Sequence, residues 1–248
     1  MILCGAFFFA GIIDAVCGGG GLLTLPMFMT TGFPVHYITG TNQCSIFFGG
    51  ATALWRFAQK GHIHWPSALA SVPFAMIGSF LGSKLNMILP EESLQLVMIL
   101  LVPVVAIALL LKRDFGSENH LEDVSKVRRA LSALIIGLGI GMYQGFYGAG
   151  AGTFYMLAFA ILLRLDLTTA SGNTKVVSFC SVATSSITYA LSGMVYWQVV
   201  IAATLFNIAG NYVGAGLAMK KGARFIRPMF FLVLALLFVR LIMTWFGR

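Results

Sequence analysis

The sequence predicts an all-α polytopic membrane protein made of two homologous repeats. Each repeat is a glycine-broken helix pair, re-entrant in this reading, followed by three transmembrane helices. Three observations lead there. Apolar residues make up 58% of the 248 positions and charged residues only 10%, where a soluble domain carries about 25% charged residues. Two glycine clusters interrupt apolar runs, at Asp14-Ala15-Val16-Cys17-Gly18-Gly19-Gly20-Gly21-Leu22 and Gln144-Gly145-Phe146-Tyr147-Gly148-Ala149-Gly150-Ala151-Gly152-Thr153. The chain also repeats itself.

The first element is the broken segment. Glycine costs about 1 kcal/mol per position in a helix interior, so Gly18, Gly19, Gly20 and Gly21 together end a helix and leave bare backbone. The flanks, 2–13 and 22–29, are too apolar for a solvated loop. Unpaired backbone at membrane depth survives only where protein buries it or where it lines a cavity. The half-segments, about 1–16 and 21–31, are shorter than the roughly 20 residues of a full span and suit a hairpin that enters and leaves by one face. The start lacks a basic n-region and is echoed internally, so it reads as mature structure rather than a secretory signal. Three crossings follow, at about 38–57, 67–87 and 93–111.

The second copy repeats this order. At an offset of 130, Gly18 meets Gly148 and Gly20 meets Gly150; at 132, Gly40 meets Gly172, Phe47 meets Phe179, Trp65 meets Trp197, and Gly78 and Gly82 meet Gly210 and Gly214. The halves of its broken segment are about 130–145 and 151–163, and its crossings about 168–190, 198–219 and 225–246. One membrane domain, 1–248, thus divides into repeat 1 (1–112), a polar link (113–129) and repeat 2 (130–248). Small residues spaced by four, as in Gly78/Gly82 and Gly210/Gly214, suit close helix packing.

Net charge is +8, which the basic loops of the cytoplasmic face explain. No basic stripe carries interleaved aromatics, so a nucleic-acid partner is not expected. If both broken segments turn back, the second copy is inverted. Arg56, Lys60, the 112–129 link, Lys220, Lys221, Arg224 and Arg227 then share one face. If they span instead, the copies run parallel and the last basic cluster falls outside. The charge pattern favours inversion. The cysteines at 4, 17, 44 and 180 form no C-x-x-C pair and read as buried free thiols. His62 and His64 fit a short loop at the membrane edge better than a metal site. No nucleophile elbow, zincin or Walker motif is present, and neither a catalytic activity, a cofactor nor a metal is expected.

Paired repeats with broken helices point to a transporter whose site lies at the repeat interface. Half-helices that begin inside the membrane, here at about Leu22 and Thr153, present free N–H groups and the positive end of a dipole, which suits a small oxyanion. The expected substrate-binding residues are Gly18, Gly19, Gly20, Gly21, Gly148, Gly150, Gly152 and Thr153. Asn42, Gln43, Asn173, Thr174 and Lys175 add side-chain donors from the starts of two crossings. Lys175 is the sharpest of these, because an intramembrane lysine is functional by default; the bland alternative is snorkelling to the interface. Asp14 is the other intramembrane charge, a partner for Lys175 or a carrier of a coupling proton, or else a local cap. An anion channel is the alternative to a carrier with alternating access.

These stretches resemble the TauE/SafE family of sulfite and organosulfonate exporters. The matching pieces are Gly11-Ile12-Ile13-Asp14 with Gly18 to Pro26, then Gly40-Thr41-Asn42, Gly145-Phe146-Tyr147-Gly148, Gly152-Thr153-Phe154, Thr174-Lys175, Ser192-Gly193, Asn207-Ile208-Ala209-Gly210 and Lys221 to Pro228. The resemblance implies a bacterial inner-membrane, multi-pass exporter of small sulfur-containing anions such as sulfite or sulfoacetate. Its partners would be the anion and the lipid bilayer, with a homodimer and coupling to a proton or other ion as further options. The family pattern often places lysine after the first Thr-Asn and aspartate before the second glycine cluster. This chain has Gln43 and Gln144 there. A cation and an anion are lost together, which implies that they formed one pair across the repeats and that Asp14 and Lys175 form the surviving one. One cation fewer favours a monoanion.

Overall fold

A computed structural model describes residues 2–29, 32–90 and 121–226, together with 228, 229, 231, 232 and 235. The described chain is helical. Helix α1 spans Ile2–Cys17, α2 Gly21–Met29, α3 Val35–Gln59 and α4 Trp65–Ile88. After a short turn at Leu121–Asp123, α5 (Lys126–Leu134), a π-helical stretch (Ile135–Ile140) and α6 (Gly141–Phe146) form one rod. Then come α7 (Ala151–Leu162), α8 (Leu167–Leu191) and α9 (Trp197–Lys221). The expected crossing at 93–111 lies outside the described residues, as does most of the one at 225–246.

The bundle is organised around α3 and α8, which run in opposite directions. Cys44 meets Ser186 and the Phe47 ring stacks on Phe179 at 5.0 Å. Helix α9 runs with α3: Thr204 donates to the Ser45 carbonyl, and Arg56 donates to that of Tyr212. Helix α4 runs with α8: Asn173 donates to Ser67 and Ser79 to the Ser181 carbonyl. Outside these, α1 lies along α9 and the α5–α6 rod along α4, each in the same direction as its neighbour. Gly210 and Gly214 face Phe8 and Ile12, while Gly78 and Gly82 face Leu138 and Met142. A Cβ on any of these four glycines would collide with the neighbouring backbone. The four-residue spacing therefore does set close helix contact.

These directions force the chain to double back. Helices α1 and α3 both run with α9, so α2 returns between them, and Phe28 near its end packs on Phe7 near the start of α1 (ring centroids 5.5 Å). The rod and α8 both run with α4, so α7 returns as well.

Burial is inside out. Helix α3 buries Thr39, Thr41, Asn42, Gln43 and Ser45, whereas α4 exposes Leu69, Ile77 and Phe80, and α9 exposes Ile201, Leu205 and Phe206. Among the described residues, α4 and α9 are the helices long and apolar enough to cross a membrane. The central α3 and α8 are more polar because their partners are protein groups rather than lipid.

Candidate functional site

A helix that ends inside the bundle leaves its last carbonyls without ladder partners. Both breaks meet this with side chains from distant parts of the chain. At the end of α1, the Asp14 carbonyl accepts from Gly18 N (2.7 Å) and from Lys175 Nζ. The Val16 carbonyl accepts from Ser171 (3.1 Å) and that of Cys17 from Thr153 Oγ1 (2.7 Å). At the end of α6, the Gln144 carbonyl accepts from Gln43 Nε2 (2.6 Å), that of Gly145 from the Tyr189 hydroxyl (3.0 Å) and that of Phe146 from Asn86 (2.7 Å). Asp14 stands to Lys175 as Gln144 stands to Gln43. The offsets that aligned the two halves of the sequence relate both pairs.

The two hairpin tips touch. Gly18 and Gly148 both have positive φ, 74° and 78°, a conformation that glycine alone adopts without strain. A Cβ on Gly18 would overlap the backbone of Gly152, and one on Gly21 would press on Ala149. Beside this contact lies a cavity. The first hairpin lines it with Asp14, Gly18 and Gly21, the second with Gln144, Gly148 and Gly152; α3 adds Ile46, Phe47 and Gly50, and α8 adds Lys175, Ser178, Phe179 and Val182. It has room for about one or two waters.

Lys175 is 4% exposed, so it does not snorkel, and its ammonium lies 4.0 Å from Asp14 Oδ2. It sits at the negative end of the α1 dipole, while α2 and α7 begin at the cavity and turn their positive ends toward it. The ladder of α2 opens with Leu22 N on Gly19 O, that of α7 with Ala151 N on Gly148 O, followed by Thr153 N on Gly150 O. The helices themselves begin at Gly21 and Ala151, slightly earlier than Leu22 and Thr153.

Of the residues that the sequence singles out, Asp14, Gly18, Gly21, Gly148, Gly152 and Lys175 come together at this cavity. The others are outside its lining and engaged with protein. A Cβ on Gly20 would lie 2.6 Å from the Ala10 carbonyl and 2.8 Å from Asp14 Cβ, so that glycine packs on α1. Gly19 lies in the same turn, and Gly150 caps α7 with φ 74°. Asn42 Oδ1 accepts from Thr24 (2.6 Å), and Thr174 donates to the Ala170 carbonyl (2.8 Å). Asn173 accepts from His64 N and donates to Ser67, both at 2.8 Å, which ties α8 to the start of α4. Gln43 and Thr153 cap the opposite hairpin, as described. His64 caps α4 through Ser67 N; burial, with help from the Arg129 charge, pushes its imidazole below the usual value of 6.5.

Sequence reasoning overlooked Phe47, Phe179 and Ser178 as lining residues, and Ser171, Tyr189 and Asn86 as caps. The register of the duplication matched Phe47 with Phe179, and Ser178 lies one turn beyond Lys175. Those were the available signals. The caps gave none, because a buried serine or tyrosine reads the same whatever it bonds.

Comparison with known proteins supplies the family. Residues 3–241 match the family described as Sulfite exporter TauE/SafE. A probable membrane transporter protein, ORF9, of a Sinorhizobium species is 32% identical over 237 residues, covering 96% of this chain and 90% of that one. A probable membrane transporter protein of Haemophilus influenzae is 32% identical over 226 residues, covering 90% and 86%. The probable membrane transporter protein YfcA of Escherichia coli K12 is 29% identical over 254 residues, covering 100% and 92%. No solved structure matches the chain significantly. With nearly its whole length matched and its helices packed with polar residues inside and apolar ones outside, the chain belongs to the TauE/SafE family and is a membrane transporter.

Proposed function

We propose that this transporter is a carrier that exports small sulfur-containing anions such as sulfite, sulfoacetate or other organosulfonates, by alternating access at the cavity between the hairpin tips. One observation carries the reading: a buried lysine faces a cavity bounded by both glycine turns. A guest there would meet one ammonium, the positive ends of two helices and the amides that precede their ladders. The donors fit an oxyanion. The tight cavity supports a carrier in a closed conformation over an open pore.

In this reading the halves 1–112 and 130–248 are inverted repeats joined by the 113–129 link. The opposite directions of the counterparts α3 and α8 support that arrangement, as does the return of α2 and α7. It makes both hairpins re-entrant, one from each face. It also gathers the end of α3 (Arg56, Lys60), the start of α5 (Lys126, Arg128, Arg129) and the end of α9 (Lys220, Lys221) at one end of the bundle. By the positive-inside rule that end is cytoplasmic in a bacterial inner membrane.

The test is a thermal-unfolding screen of the detergent-solubilised protein against sulfite, sulfate, taurine, sulfoacetate and thiosulfate. A true substrate at 100 times its Kd stabilises the native state by about 2.7 kcal/mol, so one or two of these anions should raise the midpoint by several degrees. No shift with any of them, or an equal shift with uncharged analogues, would overturn the proposal.

A further inference from the structure

The cavity holds one cation and one anion before any substrate arrives. Lys175 Nζ is 4.0 Å from Asp14 Oδ2 and also bonds the Asp14 backbone carbonyl. Asp14 is more accessible than its partner, 21% against 4% exposed, and lines the cavity. Among the described residues, the ionisable groups facing Asp14 are Lys175 from α8 and the Cys17 thiol on its own helix. The lining from α2 (Gly21), α3 (Ile46, Phe47, Gly50) and α7 (Gly152) does not titrate, nor do the residues by which α9 meets α1.

An anion that reaches Lys175 must share it with the Asp14 carboxylate. Two negative charges around one ammonium in a cavity with room for only about one or two waters leave a net buried charge, the least tolerable arrangement for an ion in a protein interior. A carboxylate beside another anion gives up its charge by taking a proton. The counterpart pair offers no relief, because Gln43 and Gln144 are neutral and bonded to each other.

Building on the anion-carrier reading, we propose that the protein carries one proton, held on Asp14, with each monovalent anion bound at Lys175. The balance is simple. The empty site holds carboxylate and ammonium; the loaded site holds carboxylic acid, ammonium and one anion. Both states are neutral, so both cross without a net charge. The proton comes from the solution that supplies the anion and leaves with it.

The probe is methanesulfonate, which stays a monoanion from pH 5 to 9, so that any proton counted belongs to the protein. Calorimetric titration of the purified full-length protein in buffers of different ionisation enthalpy gives the protons taken up per anion. The expected result is about one, and wherever one proton is taken up the apparent affinity should fall about tenfold for each pH unit. Asp14→Asn should bind methanesulfonate with no proton uptake and no pH dependence. In vesicles it should still exchange labelled for unlabelled anion but lose net efflux, because its empty form strands the Lys175 charge. Binding to the native protein with no proton uptake overturns the proposal and leaves the carrier reading standing, as does uptake that persists in Asp14→Asn. The wild-type proton count decides the matter even if the variant does not fold. Absence of methanesulfonate binding at every pH, with no shift in the anion screen, overturns both.

Discussion

The ends of α1 and α6 pose the same problem, bare carbonyls inside a bundle, and the chain answers it twice with different chemistry. At α6 a glutamine amide reaches across from α3 to the Gln144 carbonyl (2.6 Å), while the Gln144 side chain returns a bond to Gln43 Oε1 (3.4 Å). At α1 a lysine reaches across from α8 to the Asp14 carbonyl and its carboxylate. The amide pair is complete in itself, since an approaching anion finds no charge there to compete for. The ion pair is not, because its ammonium can be drawn to another anion. In the proposed carrier, two positions that the sequence offsets pair would thus differ in function: one fastens a hairpin, the other fastens a hairpin and can release it.

The largest effect that would break this comparison is at the tips. Gly18→Ala places a Cβ in the backbone of Gly152 at a left-handed residue, which costs roughly 1–2 kcal/mol for the conformation alone and more for the overlap. It should abolish the folded protein in a detergent stability assay. Gly148→Ala meets the ends of two movable side chains, Gln43 Nε2 at 2.9 Å and Gln144 Nε2 at 3.1 Å, besides the Gln144 carbonyl at 3.0 Å, and should lower the melting temperature without abolishing folding. Equal losses would mean that the two tips are not packed differently.

Next comes the cation. Lys175→Met should cost roughly 3 kcal/mol, the lower range for breaking a buried pair, and abolish sulfonate binding while sparing that of a neutral analogue. Lys175→Gln gives the first anchor the reaching amide of the second while Asp14 keeps its carboxylate; it should recover part of the stability lost in Lys175→Met, by thermal unfolding, and none of the binding. If Lys175→Gln binds a sulfonate as the native protein does, the contrast between the anchors fails. The reverse change, Gln43→Lys with Gln144→Asp, gives the second anchor the charges of the first. It should shift preference from monovalent sulfonates toward sulfate by about tenfold in a competition assay, as a second releasable cation becomes available.

The smallest effect lies outside the cavity. His64 caps α4 with a neutral ring whose pKa is below that of the unfolded chain. Its contribution is full above about pH 6.5 and is lost as pH falls through the lower folded value. A cap is worth about 1 kcal/mol. The drop in melting temperature between pH 7.5 and 5.5 should therefore be slightly smaller in His64→Asn, whose amide keeps its capping oxygen at both values.

Much of this was readable before any coordinates. Composition alone placed the chain in a bilayer, and four glycines in an apolar run allowed no continuous helix, so the break between α1 and α2 followed from residue chemistry. The duplication supplied the counterparts, and an intramembrane lysine with an intramembrane aspartate suggested their own pairing. Asn42, Asn173 and Thr174 show where such reading stops. Their polar groups look free in a sequence, but Asn42 accepts from Thr24, Asn173 accepts from His64 N and donates to Ser67, and Thr174 donates to the Ala170 carbonyl.

The sequence by itself determined that the chain is a helical membrane protein with two broken segments, an aspartate beside the first and a lysine within a later crossing, because apolar content, glycine and charge act locally whatever the surroundings. Only the tertiary structure decided which polar side chains reach the cavity and which are engaged elsewhere. Capping a helix end inside a bundle draws partners from more than a hundred residues away, as Ser171, Thr153 and Lys175 do for α1. No local rule assigns a partner at that distance.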